Sequence, residues 1–286
     1  MAPPRLIFVT GKGGTGKSTV AAALALALSR QRPTTLADLD RRNSAARILG
    51  TAASGAIETL ALTPRAELEA FIARIVPLRA ISRRMLRSRT FGYVTAALPG
   101  LEAFLMLERL RLLAGTAARD DRYAVIDAPA TGHALELLTV ARGIRGLAPG
   151  GTLNRLAAAV EDFLADPNRF GAILTVAPGE LALRETLAAA PALRDELRVG
   201  WIAAALNCVA APLFSAGEIA ALADYPGHAR LAATRRRCGR GAAETRRALE
   251  RAGLRVIELP MIFAAELDRA ALETLGRRLA AELAAQ

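Results

Sequence analysis

Glycines, a lysine and a serine near the start of the chain have the spacing of a phosphate-binding loop. In the stretch FVTGKGGTGKSTV (residues 8–20), the pattern G-x-x-x-x-G-K-[ST] begins at Gly11 and ends at Ser18. Glycines let backbone N–H groups turn inward and approach phosphates, and the N-terminus of a following helix attracts an anion. The pattern therefore predicts a nucleotide site.

Each position of this loop has an expected role, with ATP and Mg²⁺ as the cofactors. Lys17 can reach the β- and γ-phosphates, the Ser18 hydroxyl can coordinate Mg²⁺, and Thr19 lies within reach of the α-phosphate. The remaining nucleotide-binding positions that we predict in the loop are Gly11, Gly13, Gly14, Thr15 and Gly16.

Lys12 needs a separate explanation, because it and Lys17 are the only lysines among the 38 basic residues of the chain. It follows the first glycine of the pattern, where a plain phosphate-binding loop has no requirement for charge. A compact ammonium aimed at a transferring phosphoryl group explains this lysine better than an ordinary loop position does. We therefore predict a catalytic role for Lys12 as well as for Lys17.

The elements around the loop predict an α/β fold with a doubly wound, mostly parallel sheet. RLIFVT (5–10) is typical of a buried strand, STVAAALALALSRQ (18–31) of a helix, and TTLADLD (34–40) of a second strand. Further strands are predicted at 123–127, 170–177, 199–207 and 254–260. Helical stretches separate them, and this alternation favours a parallel sheet.

The chain is predicted to be one domain, 1–286, with two helical insertions. Between residues 44 and 117, apolar residues recur at three- and four-residue spacing throughout, so we expect a helical insertion at 45–117. A shorter one is expected at 141–168. The last predicted helix, 266–285, has mixed charges opposite its apolar face, which favours packing on the sheet over membrane contact.

Composition argues against several classes of protein. No apolar run approaches the roughly 18 residues that span a bilayer, and the first residues lack a secretory signal, so we expect a cytoplasmic protein. Cys208 and Cys238 lack the spacing of a zinc site or a disulfide framework. The net charge of +11 would suit nucleic acid. The arginines of the chain are nevertheless scattered along the sequence, apart from clusters at 81–89 and 235–241, so we do not expect a nucleic-acid partner.

The loop sequence KGGTGKST resembles the deviant phosphate-binding loop of a family of ATPases. That family contains the ArsA anion-pump ATPase, the ATPase that targets tail-anchored membrane proteins, and the MinD and ParA positioning ATPases. Three further segments resemble the ArsA branch, namely VIDAPATGHALELL (125–138), PGLEAF (99–104) and VAPGELALRET (176–186). In the family the extra lysine crosses a homodimer interface to the partner's nucleotide. The resemblance implies a P-loop ATPase whose Lys12 acts in trans and whose helical insertion holds a protein partner.

The resemblance also implies roles for residues outside the loop. Asp127 should organise the Mg²⁺ shell through water, and Asp40 should position the attacking water, with Asp38 as a competing candidate. Asn207 matches an asparagine that contacts the base. His133 begins the helix of the second switch and is expected to relay the nucleotide state.

The sequence departs from the ArsA pattern at two places. The first switch usually reads Asp-Pro-Ala-His, whereas Asp40 is followed here by Arg41 and Arg42. The two cysteines match neither metalloid-binding nor zinc-binding cysteines, which argues against arsenite as the transported anion. Two other functions stay open. One is a ParA- or MinD-type ATPase that binds DNA or, transiently, a membrane, and the other is a nucleotide-switched binding module without enzymatic activity.

Overall fold

The computed structural model describes residues 3–39, 43–50, 55–75, 100–147, 151–211, 213–264 and 267–284. Within these ranges the strands are β1 (Leu6–Gly11), β2 (Thr34–Asp38), β3 (Ile57–Ala61), β4 (Tyr123–Ala130), β5 (Phe170–Val176), β6 (Ile202–Val209) and β7 (Arg255–Pro260). The helices are α1 (Lys17–Leu28), α2 (Ser44–Leu49), α3 (Pro64–Ile75), α4 (Leu101–Arg119), α5 (Thr131–Leu147), α6 (Gly151–Ala165), α7 (Glu180–Pro191), α8 (Ala216–Ala220), α9 (Pro226–Arg251) and α10 (Arg269–Ala284). A π-helical turn, Ala192–Glu196, follows α7.

The strands form one parallel sheet, in the order β3-β2-β4-β1-β5-β6-β7. Strand β1 lies between β4 and β5, so the chain winds in one direction from β1 to β3 and in the other from β5 to β7. In such a sheet, ligands bind at the carboxyl ends of the strands where the winding reverses. The predicted doubly wound fold is confirmed, and the predicted nucleotide loop leaves β1 at this point.

Both faces of the sheet are covered by helices, which is why its central strands are continuously apolar. Along β1, Ile7 and Val9 face the layer of α1 and α10, whereas Leu6 and Phe8 face the layer of α4 to α7 and α9. The layer of α1 and α10 packs closely, since a Cβ atom at Gly276 would lie 2.5 Å from the carbonyl oxygen of Ala23. The last helix thus packs on the protein, as its mixed charges predicted.

The prediction that residues 44 to 117 are helical throughout is wrong at one segment. Strand β3 pairs with β2 from Thr34–Ile57 to Asp38–Ala61 and forms the edge of the sheet. Only Ile57 of this strand is buried. The five residues therefore show no clear alternation of apolar and polar side chains that would indicate a strand. Without β3, the outer edge of β2 would be unpaired. The hydrogen bonds to that edge decide the conformation of residues 57–61. The helices α2, α3 and α4 agree with the prediction, and the 81–89 cluster lies outside the described residues.

Other predicted features of this region stay predictions. The boundaries 45–117 and 141–168 of the two insertions are not tested. The second insertion includes α6, which packs against the sheet layer through Val160 and Phe163. No helix in the described ranges is both long enough and apolar enough to cross a bilayer.

Candidate nucleotide site

The predicted loop connects the end of β1 at Gly11 to the start of α1 at Lys17. Glycine is required at both ends of it. At Gly11, φ is +152° and a Cβ atom would lie 2.2 Å from the carbonyl oxygen of Thr175 on β5. At Gly16, φ is +89° and a Cβ atom would lie 2.3 Å from the Nδ2 atom of Asn207. Only glycine fits a left-handed position with a neighbour this close.

The loop is closed by hydrogen bonds to the carbonyl oxygen of Lys12. The backbone N–H of Thr15 donates to it at 3.3 Å and the Thr15 hydroxyl at 2.8 Å. The ammonium of Lys17 donates to the same oxygen at 3.4 Å, so this side chain folds back over the loop. Among the described residues, no side chain caps the N-terminus of α1. The dipole of α1 and the glycine-rich turn before it therefore favour an anion at this end of the helix.

A cleft of about 510 Å³ lies beside the first turn of α1. Gly14, Gly16 and the hydroxyl residues Ser18 and Thr19 line one side of it, and α2 forms the other side. The exposed Arg47 of α2 brings a further cation to this cleft. Sequence reasoning missed Arg47, because no motif distinguishes it from the many other arginines of the chain.

Two carboxyl groups face each other beneath this loop. Asp38 at the end of β2 and Asp127 in β4 are register partners, and each is only 2% exposed. The pKa of Asp127 is raised from 3.8 to about 7. Burial is the largest cause, and the hydrogen bond and charge of Asp38 add to it, against the opposing effects of a Ser18 hydrogen bond and the Lys17 charge. The site thus joins Ser18, Lys17, Asp38 and Asp127.

One carboxyl oxygen of Asp127 accepts no hydrogen bond from the described residues. Its Oδ1 atom is buried and has no hydrogen-bond partner in the described part of the chain. A buried acceptor without a partner costs free energy unless a ligand or ion satisfies it. This oxygen therefore fits a cation, and Ser18 beside it supplies the hydroxyl oxygen that the sequence predicted as a metal ligand.

Asp38 also has a structural function that the sequence did not predict. Its carboxylate accepts hydrogen bonds from the backbone N–H groups of Ala45 at 3.5 Å and Ala46 at 3.2 Å, in the first turn of α2. It thus joins the end of β2 to the helix that lines the cleft. The other first-switch candidate, Asp40, lies outside the described residues, and its role stays a prediction.

Lys12 does not point freely into solvent. Its ammonium forms an ion pair with Glu185 of α7, and the two side chains are 30% and 39% exposed. Glu185 belongs to the VAPGELALRET segment (176–186), although the sequence did not predict it as a site residue. The catalytic role of Lys12 stays a prediction.

Asn207 lies against the loop from the other side. It is 6% exposed, and its Nδ2 atom donates to the carbonyl oxygen of Thr15 at 2.9 Å. The structure thus shows Asn207 holding the loop, whereas contact with a base stays a prediction. His133, in the first turn of α5, is 79% exposed, lies 3.2 Å from Glu136 and is untested as a relay.

A second, larger cavity of about 1110 Å³ is lined in part by Cys208, the residue after Asn207. Its lining is mainly apolar and includes Ala210, Met261 and Phe263. Both cysteines, Cys208 and Cys238, lie on it, and both are free and exposed. In the described residues, no cluster of three or more His, Cys, Asp or Glu side chains could hold a metal.

Comparisons with known proteins show the family of this chain. Residues 6–227 match the family described as the CobQ/CobB/MinD/ParA nucleotide binding domain. The chain is 31% identical over 218 residues to the protein named ATPase BagA of Mycobacterium tuberculosis (strain ATCC 25618 / H37Rv) and to a putative ATPase, Mb3704, of Mycobacterium bovis. Each match covers 68% of this chain and 63% of the relative, so the chain spans less than two thirds of their length.

A more distant relative carries a narrower name. Over 150 residues the chain is 29% identical to the putative arsenical pump-driving ATPase 2 of Aquifex aeolicus, covering 49% of this chain and 50% of that protein. The family match includes β1 to β6, the loop between Gly11 and Lys17, and both buried carboxyl groups. The chain therefore belongs to the CobQ/CobB/MinD/ParA nucleotide-binding domain family.

Proposed function

We propose that the protein is a Mg²⁺-dependent ATPase of the ArsA-like branch. It hydrolyses ATP to ADP and phosphate in a closed homodimer, and this cycle controls the binding of a protein partner. The observation that supports the proposal most is the buried pair Asp38 and Asp127 directly beneath the N-terminus of α1. This pair places oxygen ligands for a cation beside the loop that fits phosphates.

Mg²⁺ fits the residues of this site. It prefers oxygen ligands and keeps several waters, so it needs few protein groups. Ser18 and Asp127 would hold it, Asp127 through its buried Oδ1 atom or an intervening water, and nucleotide phosphates would complete the shell. When bound, the ion neutralises negative charge on the phosphate oxygens.

The loop supplies most of the remaining binding groups for the triphosphate. The backbone N–H groups at the N-terminus of α1 donate to phosphate oxygens, and Lys17 leaves the carbonyl of Lys12 to reach the β- and γ-phosphates. Arg47 of α2 approaches the same phosphates from across the cleft. The base lies towards Asn207 and the larger cavity that Cys208 lines in part.

Hydrolysis needs positioning and charge neutralisation rather than a covalent intermediate. We assign the positioning of the attacking water to Asp40, with Asp38 as the alternative. Asp38 is the weaker choice because its carboxylate oxygens already accept hydrogen bonds from two backbone N–H groups of α2. Lys12 of one subunit would neutralise charge on the triphosphate of the other, which makes dimerisation and turnover one event.

The ArsA-like branch is favoured over a positioning ATPase by the segment that follows Asp127. This segment, VIDAPATGHALELL, resembles the second switch of that branch. Strand β4 continues to Ala130 and α5 begins at Thr131, so a change at Asp127 would be passed directly into the helix that carries His133. The partner would bind the helical insertion. That partner rests on the resemblance, and the cytoplasmic location stays a prediction from the composition.

A positioning ATPase that binds DNA or a membrane is the second candidate. It is supported by the arginine cluster on α9, where Arg237 and Arg240 are exposed. DNA binding that requires ATP and weakens steeply with salt would favour this candidate. Binding that is absent with ATP would exclude DNA as the partner.

The deciding experiment measures phosphate release by the purified protein with ATP and Mg²⁺. Lys12→Ala is expected to abolish turnover and to retain ATP binding, because the proposed role of Lys12 is in hydrolysis. The control is Arg65→Ala, which removes an exposed cation that pairs with Glu69 on α3. Unchanged turnover in Lys12→Ala would refute the trans-acting lysine. Absence of turnover in the unsubstituted protein would favour a binding module instead.

A further inference from the structure

Glu185 is a carboxylate that neither the motifs nor the family assignment gives a function. It forms an ion pair with Lys12, the residue that we expect to act on a second subunit. We propose that Glu185 is a positioning residue that holds Lys12 against its own subunit in the resting state. Release of this ion pair then makes the lysine available to the nucleotide of a second copy. The inference rests on the proposed function and adds a regulatory step to it.

The two ends of the ion pair are carried by rigid neighbouring elements. Lys12 follows Gly11, which is the register partner of Thr175 in β5. Helix α7 begins four residues after β5 ends, and it is fixed to the core by buried residues, among them Thr186 and Ala190 at 2% exposure each. The sheet therefore brings the Lys12 backbone and Glu185 together without any ligand.

The neighbouring cation on α7 does not compete with Lys12 for Glu185. Arg184, the adjacent cation in sequence, pairs with Glu180 one turn earlier at 2.6 Å. Glu185 and Lys12 are each more enclosed than that pair, whose side chains are 77% and 75% exposed. The Lys12–Glu185 pair is therefore a separate contact between two elements, not part of the surface pairing along the helix.

An ion pair between side chains this exposed holds the lysine only weakly. On the scale of measured exposed pairs, it favours the held position of the lysine over the released position by a factor of about three. A triphosphate carries several negative charges and can compete for the ammonium successfully. Each closed homodimer must release two such pairs, one from each subunit. Removing Glu185 should therefore strengthen nucleotide-dependent dimerisation by the square of that factor, about tenfold.

The first test needs neither ATP hydrolysis nor a dimer. Since the chain contains only two lysines, the acetylation of each one can be followed separately. The nucleotide-free protein is treated with a limiting amount of an amine-acetylating ester, and acetylation of Lys12 and Lys17 is followed by peptide mass spectrometry. In Glu185→Gln, we expect Lys12 to react about threefold faster, because its ammonium is no longer held, while Lys17 is unchanged. Glu180→Gln, on the same helix, is the matched control and should leave Lys12 unchanged. Equal Lys12 rates in Glu185→Gln and the unsubstituted protein would overturn the inference.

The second test measures dimerisation by analytical ultracentrifugation with Mg²⁺ and a non-hydrolysable ATP analogue. Glu185→Gln is expected to lower the dimer dissociation constant about tenfold, and to have no effect when Lys12 is already replaced by alanine. Weaker dimerisation of Glu185→Gln would show that the carboxylate acts in the closed state, which contradicts the proposal. If the unsubstituted protein fails to dimerise with nucleotide, the homodimer is wrong. The acetylation result still decides whether Glu185 holds Lys12.

Discussion

The buried carboxyl of Asp127 should make the nucleotide-free protein less stable as the pH rises. Its pKa is 3.8 in an ordinary environment and about 7 in the folded chain, mainly because burial penalises the charged form. Between these values the folded state holds a proton that the unfolded state has lost. The free energy of unfolding therefore falls as the pH rises through this window, and it levels off above the folded pKa.

The magnitude follows from the width of the window. From pH 5 to a folded pKa of about 7, at about 1.36 kcal/mol per pH unit, this carboxyl removes about 2.7 kcal/mol of stability. Asp127→Asn keeps the shape of the side chain and cannot ionise, so it should lose none of this amount. At pH 8 the nucleotide-free variant is expected to be more stable than the unsubstituted protein, although it should bind Mg²⁺ and ATP less well.

The assay is equilibrium unfolding in urea at several pH values between 5 and 8, without nucleotide or divalent cation. The fluorescence of Trp201, the single tryptophan of the chain, reports the transition. The control variant is Asp195→Asn, which replaces an exposed carboxyl in the π-helical turn and should follow the unsubstituted protein. If Asp127→Asn loses as much stability between pH 5 and 8 as the unsubstituted protein, Asp127 does not titrate as described. The raised pKa of Asp127 would then be refuted.

Three further predictions concern packing around the loop and the last helix. Gly16→Ala should lower stability by about 1–3 kcal/mol and weaken ATP binding in calorimetry, because of its positive φ and the neighbouring Asn207; Gly143→Ala on α5, with open space around it and outside the predicted nucleotide site, is the control. Asn207→Ala should cost about 1–3 kcal/mol in urea unfolding, since the Thr15 carbonyl loses its side-chain donor; no loss would contradict that contact. Gly276→Ala should cost about 1–3 kcal/mol by overpacking against α1, and an unchanged midpoint would mean that the two helices separate at no cost.

The carboxyl pair also suggests why Mg²⁺ and nucleotide should bind together. Without a cation, burial and the neighbouring Asp38 raise the pKa of Asp127 to about 7, so this carboxyl loses its proton only near that pH. We propose only two protein ligands for Mg²⁺, Ser18 and Asp127, which hydrogen-bond to each other. A triphosphate on the loop above would complete the set, so each of the two ligands should increase affinity for the other.

Local sequence was sufficient for most elements of the fold, but not for β3. The central strands are long, apolar and bounded by glycine or helix signals, so their type is decided by residues close in sequence. Strand β3 is short and largely exposed, and it exists because β2 presents an unpaired edge. A partner that is distant in sequence decides its conformation, which no local periodicity reports.

The sequence alone determined the nucleotide loop, because the geometry of that loop is encoded within a single run of eight residues from Gly11 to Ser18. It also placed Asp127 in an apolar strand, although that strand continues to Ala130 and does not end at Asp127. Only the tertiary structure decided which side chains meet that loop: Asp38 beneath it, Asn207 and Glu185 beside it, and Arg47 across the cleft. These residues come from four separate elements, and parallel strands whose carboxyl ends share one edge of the sheet bring them together. Pairing between strands far apart in the chain is a long-range property, and the pattern around each residue cannot specify it.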